Sequence, residues 1–215
     1  MGADKSLWDK ILPIQFQPKY DGKGLRKVVN KYVNNMPLNE CKKYTIISTY
    51  NLNTDEPLIY KSRKHTVNTR DLAMMTSSAP TYYPCIKSDN EWHIDGGVAA
   101  NNPAMIAYIE AKKTWTDGKY GDEMDEFRIL SIGTGYVKSN VDGEDAVGWG
   151  LFRWFTNNLV DVVMDAPNKL VTSQCKQLLG DNFLRIDSEL GEISNELDDT
   201  STDNYNRCIE LGNKW

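Results

Sequence analysis

The chain has 215 residues, 40% of them hydrophobic and 26% charged, and its 25 basic and 30 acidic side chains leave a formal net charge of -5. A domain of this length buries about 70% of its unfolded surface, so the composition predicts a soluble globular protein. The acidic balance excludes broad nucleic-acid binding, which wants a basic face, and no apolar run reaches the roughly 18 residues that a membrane-spanning helix needs.

The N-terminus, MGADKSLWDKILPIQF, has no basic segment followed by an apolar core and does not read as a signal peptide. Met1-Gly2 with Ser6 fits a myristoylation pattern, a short motif that is often accidental. Residues 23–34 carry Leu25, Val28, Val29, Tyr32 and Val33 at helical spacing. Tyr44 to Tyr50 (YTIISTY) is β-branched and aromatic and predicts a strand, and Leu58 to Lys61 a second one after the loop NLNTDEP. Asp71 to Ser77 predicts a helix closed before Pro80. Asn102 is a good N-cap with Pro103 behind it, so Pro103 to Thr114 should be helical, with Met105, Ile106 and Ile109 facing the core.

Phe127 to Ile132 (FRILSI), ending in Gly133-Thr134-Gly135, reads as a buried parallel strand. Residues 138–147 are polar and acidic and suggest a mobile loop. Trp149 to Leu179 shows long helical patterning with a break expected near Pro167, Asn182 to Ile186 a last strand, and Thr202 to Leu211 a closing helix. Strands alternating with helices predict an α/β layer fold. The four cysteines, Cys41, Cys85, Cys175 and Cys208, are widely spaced with no C-x-x-C and read as reduced thiols of a cytoplasmic protein. Only His65 and His93 are available to a triad or a zinc site.

The stretch Glu91 to Ala104, EWHIDGGVAANNPA, puts a carboxylate at the end of an apolar run and follows it with two glycines. Asp95-Gly96-Gly97 reads as a turn or as a placed catalytic carboxylate that another segment can approach closely. Met74 to Pro84 (MMTSSAPTYYP) precedes it, and Leu130 to Gly135 (LSIGTG) follows. Together these resemble the T-S-A-A-P-T-Y-F-P, D-G-G-x-x-x-N-N-P and S-x-G-T-G motifs of the patatin-like phospholipase family. Pro18-Lys19-Tyr20-Asp21-Gly22 is similar to the family's P-K-Y-D-G, and Leu184-Arg185-Ile186 with Leu197-Asp198-Asp199 to its late L-R-I and L-D-D. The resemblance runs from about residue 18 to residue 215, with five motifs in family order.

The resemblance implies a three-layer α/β/α fold with a mostly parallel central sheet, here residues 1–215 as one partial domain without its N-terminal part. It implies lipid acyl hydrolysis of phospholipid or glycolipid esters by a Ser–Asp dyad without histidine. Asp95, with Gly96 and Gly97, falls on the general base, which takes the serine proton during attack on the ester carbonyl. No metal or organic cofactor is implied. The chain contains no G-x-S-x-G and no G-G-x-R-G or G-G-x-K-G loop, and only seventeen residues precede Pro18. It therefore reads as a truncated product, an incomplete gene model or an excised half-domain, inactive by itself. The alternatives are a non-catalytic regulatory or lipid- or protein-binding relic, and a fragment needing the other half to fold.

Other groups read as structural. Ser77 and Ser78 should pack near Asp95 at a helix end, with no elbow to present a hydroxyl. Ser131 falls inside a buried strand. Gly133-Thr134-Gly135 reads as a tight turn before it reads as a phosphate cradle. His93 shares a strand face with Asp95 and reads as a half-exposed strand histidine rather than a catalytic partner. Trp149, Phe152, Trp154 and Phe155 read as core before they read as a lipid-facing patch, although transient contact with a membrane surface fits a lipid substrate. A sheet that lacks neighbouring strands predicts self-association or binding of a complementary N-terminal half, with Leu7 to Phe16 covering part of the gap.

Overall fold

A computed structural model describes residues 17–115, 127–138, 141–156 and 159–215. The chain groups into two compact units, one ending at Asn101 and one beginning at Asn102. Leu7 to Phe16 and the Met1–Ser6 pattern lie outside the described residues.

In the first unit, α1 (Lys23–Tyr32) follows Gly22, whose φ of 74° suits glycine. Val29 is buried while Val28 and Tyr32 are exposed, so the apolar stripe is narrower than its spacing suggests. The carbonyls at the helix end are satisfied from outside. Arg70 Nε donates to Val33 O and its Nη2 to Asn30 O, both at 2.9 Å. Strands β1 (Ile46–Asn51) and β2 (Glu56–Lys61) form a hairpin. Helix α2 (Thr69–Thr76) starts at Asn68, whose side chain accepts from Arg70 N. A second hairpin joins β3 (Ile86–Ser88) to β4 (Glu91–Asp95). Its turn residues Asp89 and Asn90 have φ of 49° and 66°, the positive pair that a tight two-residue hairpin requires. β4 pairs with β1, giving one four-stranded sheet in the order β2-β1-β4-β3, antiparallel throughout. Leu38, Leu72 and Met75 are fully buried, with Ile47, Tyr60 and Ile86 packed against them. The short helix α3 (Gly97–Ala100) follows β4 directly.

The second unit opens with α4 (Ala104–Trp115) and holds a parallel pair, β5 (Ile129–Ile132) with β6 (Phe183–Ile186). Between them come α5 (Gly143–Ala146), α6 (Leu151–Thr156) and the long α7 (Leu159–Leu179), and α8 (Thr202–Gly212) closes the chain. Ala104, Cys175 and Phe183 form the core here, with Met105, Ile129, Val171 and Leu179 against them.

The α/β class holds, and the parallel pair is present but small. In the larger sheet the β1–β2 and β3–β4 pairs are antiparallel because their loops are too short for a parallel return, which needs a crossover of about a dozen residues or more, and β4 returns antiparallel beside β1. The parallel β5–β6 pair is joined by such a crossover, which carries α7. YTIISTY and FRILSI fall in separate ladders among the described residues. The expectation that FRILSI is covered on both faces fails. Ser131 is buried, but Leu130 and Ile132 are 58% and 63% exposed, since the described helices of this unit pack on the Ile129 face.

Three smaller expectations change. Helix α7 runs through Pro167 without stopping there. Residues 138–147, expected as a mobile loop, contain α5, capped by the Asp142 side chain accepting from Glu144 N. Ile109, expected in the core, is exposed.

Candidate active site

Asp95 is the last residue of β4 and sits opposite Thr49 of β1, in the middle of the four-stranded sheet. Strand periodicity puts His93 and Asp95 on one face, together with their cross-strand partners Asn51 and Thr49. That face is polar and yet closed: Thr49, Asn51 and His93 are all buried. Asp95 is partly buried at its end.

The backbone around the carboxylate is fixed from three sides. Asp95 N donates to Ser78 O at 3.1 Å, which ties β4 to the end of α2. Gly97 N donates to Asp95 Oδ1 at 2.6 Å. Gly96 has an ordinary helical φ of -67°, so its conformation does not demand glycine; space does. A Cβ there would lie 2.1 Å from the Ser48 carbonyl oxygen. A Cβ on Gly97 would lie 3.0 Å from Asp95 Oδ1. The two glycines therefore let β1 and the next turn close around the carboxylate.

Burial pushes the Asp95 carboxyl above the usual aspartate value, and the Gly97 N–H opposes that rise only in part. Among the described residues no group bonds its second oxygen. A carboxylate with one oxygen anchored, the other unengaged and an elevated proton affinity can accept a proton from a hydroxyl brought to it.

The other candidates are occupied. Ser78, as expected, packs beside Asp95 and is fully buried, but its Oγ donates to Met74 O at 2.6 Å. His93 is 1% exposed rather than half-exposed, because α2 and the neighbouring strands cover its face. Its Nδ1 lies 3.5 Å from Thr49 Oγ1, no described hydrogen bond joins it to Asp95, and burial lowers its pKa. Phe152 is 82% exposed instead of core, and the Phe155 side chain lies outside the described residues. No group of three His, Cys, Asp or Glu among the described residues is arranged to hold a metal ion.

The remaining motifs build supports. Lys19 N donates to Thr81 O and Tyr20 N to Tyr82 O, both at 2.9 Å, so PKYDG is stitched to APTYYP. In the second unit, Asn102 Oδ1 caps α4 through Ala104 N at 3.2 Å and accepts from Ser131 Oγ. Arg185 Nη1 donates to Ser131 Oγ at 2.8 Å, and its Nη2 to Asp187 Oδ2 at 2.6 Å. Asp187 Oδ1 then accepts from Gly135 N at 3.0 Å. N-N-P, S-I-G-T-G and L-R-I thus interlock in one polar network, and the glycine turn holds an internal carboxylate where a phosphate cradle was the other reading. Asp187 was missed in the sequence; its signal is the Arg185-x-Asp187 spacing, which puts both side chains on one side of the chain.

The molecule's likeness to known proteins agrees with these motifs. Residues 3–108 match the patatin-like phospholipase family. The chain is 30% identical over 208 residues to patatin-like protein 2 of Arabidopsis thaliana, covering 86% of this chain and 51% of the relative. It is 29% identical over 238 residues to patatin-like protein 2 of Oryza sativa subsp. indica, covering 91% and 57%. It is 26% identical over 192 residues to a cGAMP-activated phospholipase of Pseudomonas aeruginosa, covering 86% and 56%. The chain spans about half the length of these curated relatives. With its motifs in order and its α/β architecture, the chain belongs to the patatin-like phospholipase family.

Proposed function

We propose that this chain is the base-bearing part of a lipid acyl hydrolase, with Asp95 as the general base of a Ser–Asp dyad. The observation that carries the reading is the Asp95 carboxylate itself: one oxygen anchored by Gly97 N–H, one unengaged, and a raised proton affinity at a strand end. The base draws the proton from a serine hydroxyl as that oxygen attacks the ester carbonyl, then gives it to the alkoxide that departs as the ester C–O bond breaks, which restores the carboxylate. Water then releases the acyl group from the enzyme with the same carboxylate as base.

The serine is not supplied from within these 215 residues. They hold no G-x-S-x-G, and the Ser78 and Ser131 hydroxyls are committed to Met74 O and to the Asn102–Arg185 network. The chain by itself is therefore inactive on esters, and a segment carrying the nucleophile and the oxyanion donors completes the site. The substrates are phospholipid or glycolipid acyl esters. Val147, Leu151 and Phe152 are 81–89% exposed and support transient contact of a cytoplasmic protein with a lipid surface.

The test is a chromogenic acyl ester offered to this chain and to a fusion carrying a G-x-S-x-G segment ahead of Met1. The expected result is no turnover by the chain, turnover by the fusion, and loss of that turnover in the fusion's Asp95→Asn variant. Turnover by the chain alone, or a fusion unaffected by Asp95→Asn, contradicts the assignment.

A further inference from the structure

A cavity of about 670 Å³ lies in the second unit, at the carboxyl ends of the parallel strands β5 and β6. Its walls are one face of α7 and the residues just past the two strands, Tyr136 and Asp187. This is where open parallel α/β layers characteristically bind ligands. Asp95 is not among its lining residues.

The α7 wall is polar where a helix lying beside a sheet would ordinarily be apolar. Two rows at i, i+4 spacing run along it. One is Asp165, Lys169, Ser173 and Gln177; the other is Asn168, Thr172 and Lys176. Much of this polarity is internally matched. Lys169 pairs with Asp165 at 2.6 Å and lies over the Tyr136 ring. Arg185 is held by Asp187. Thr172 Oγ1 donates to Asn168 O and accepts from Asn102.

The unmatched groups define what the cavity takes. Three cations (Lys169, Lys176, Arg185) line it against two carboxylates (Asp165, Asp187), which leaves one positive charge. That charge belongs to Lys176, which has no hydrogen-bond or ion-pair partner among the described residues. Ser173 Oγ accepts from Gln177 Nε2 at 3.1 Å, which leaves its own proton free to donate. Lys176 and Ser173 therefore offer donors to an oxyanion from one side of the helix. Asn168 supplies the opposite need: its Oδ1 is buried and, among the described residues, has no hydrogen-bond partner. A buried acceptor in that state is satisfied by an O–H or N–H from a ligand.

We propose that this cavity is a binding site for a phosphate ester that also carries a free hydroxyl. Lys176 and Ser173 donate to the phosphate oxygens, with Lys169 beside them, and the ligand hydroxyl donates to Asn168. A phosphoglycerol lipid headgroup and a soluble polyol phosphate present the same chemistry. The site is separate from the acyl-hydrolase reading, and its test reads binding rather than hydrolysis.

Titrate the full chain calorimetrically with glycerol 3-phosphate, and measure its sedimentation with phosphatidylcholine vesicles with and without phosphatidylglycerol. Saturable binding to at least one phosphoglycerol probe is expected, about tenfold weaker in Lys176→Gln, the loss of one charge-assisted hydrogen bond. Lys176→Arg should retain most of it. Displacement of the vesicle-bound chain by glycerol 3-phosphate identifies the phosphoglycerol group as sufficient; saturable vesicle binding that is sensitive to Lys176→Gln and resists displacement identifies the lipid as the source. Lys176 and Ser173 are exposed on the helix, so their variants should fold, and an unchanged far-UV spectrum checks it. No saturable binding in any arm, or equal affinity in Lys176→Gln, overturns the proposal.

Discussion

Two aspartates in this chain sit at strand ends beside glycine turns, and they are treated in opposite ways. Asp187, just past β6, receives Gly135 N–H on one oxygen and the Arg185 guanidinium on the other. Asp95, closing β4, receives one N–H and no cation among the described residues, and burial raises its pKa. The glycines serve each in the same manner. A Cβ on Gly96 would strike the Ser48 carbonyl, and one on Gly133 would lie 2.4–2.5 Å from the Asp187 carboxylate. The same local device, a strand end closed tightly on a carboxylate, gives a structural tie when the charge is paired and, as we propose, a general base when it is not.

The comparison predicts its largest effect where the paired carboxylate is removed. Asp187→Ala leaves Arg185, with a side chain only 12% exposed, without its partner, and should destabilise the second unit by about 3 kcal/mol in urea denaturation. A loss below the level of an ordinary surface substitution would break the contrast. Gly96→Ala should cost about 1–3 kcal/mol through backbone overpacking between β1 and the β4 end, read as a lowered melting temperature. Gly24→Ala, where an added Cβ meets nothing, should leave stability intact and serves as its control.

The histidines give a pH-dependent effect. Burial lowers the pKa of both His93 and His65, so the unfolded chain binds protons more readily than the folded one. Their contribution to stability is present above the unfolded histidine value and is lost as pH falls below about 6.5. Each adds a slope of at most about 1.4 kcal/mol per pH unit, and His93→Gln should flatten the curve in that window. An unchanged slope would show that His93 does not report the closed polar face. Asp95→Asn should produce the smallest shift, and in the opposite sense to Asp187→Ala. Because the folded carboxyl is raised, its charged form is penalised at neutral pH, and that penalty fades as pH falls through the folded pKa. The variant should melt slightly higher than the parent at pH 7, with the gap closing in acid.

Much of the arrangement around Asp95 is legible in the sequence. A β-branched run, an apolar stretch stopping at Asp95, and Asn102-Pro103 at a helix start are local patterns, and β1, β4 and α4 form where those patterns fall. What escapes the sequence is pairing. The Asp89-Asn90 turn has no glycine to announce it, so the β3–β4 hairpin and its antiparallel sheet go unseen. Gly96 looks like a residue chosen for its backbone freedom, but the need is for space beside a carbonyl on another strand. His93 reads as half-exposed because periodicity shows which face it shares, not what covers that face. Leu130 and Ile132 read as buried because an apolar run does not say how many of its faces are covered.

The central claim is that Asp95 is a carboxylate kept ready to accept a proton. The most direct measurement is its own titration, followed by NMR on the chain with ¹³C-labelled aspartate carboxyls and assigned by comparison with Asp95→Asn. A midpoint above the ordinary aspartate value of 3.8 is the result this account predicts. A midpoint at or below that value would mean the carboxylate is stabilised in its charged form, and would contradict its proposed role as the general base.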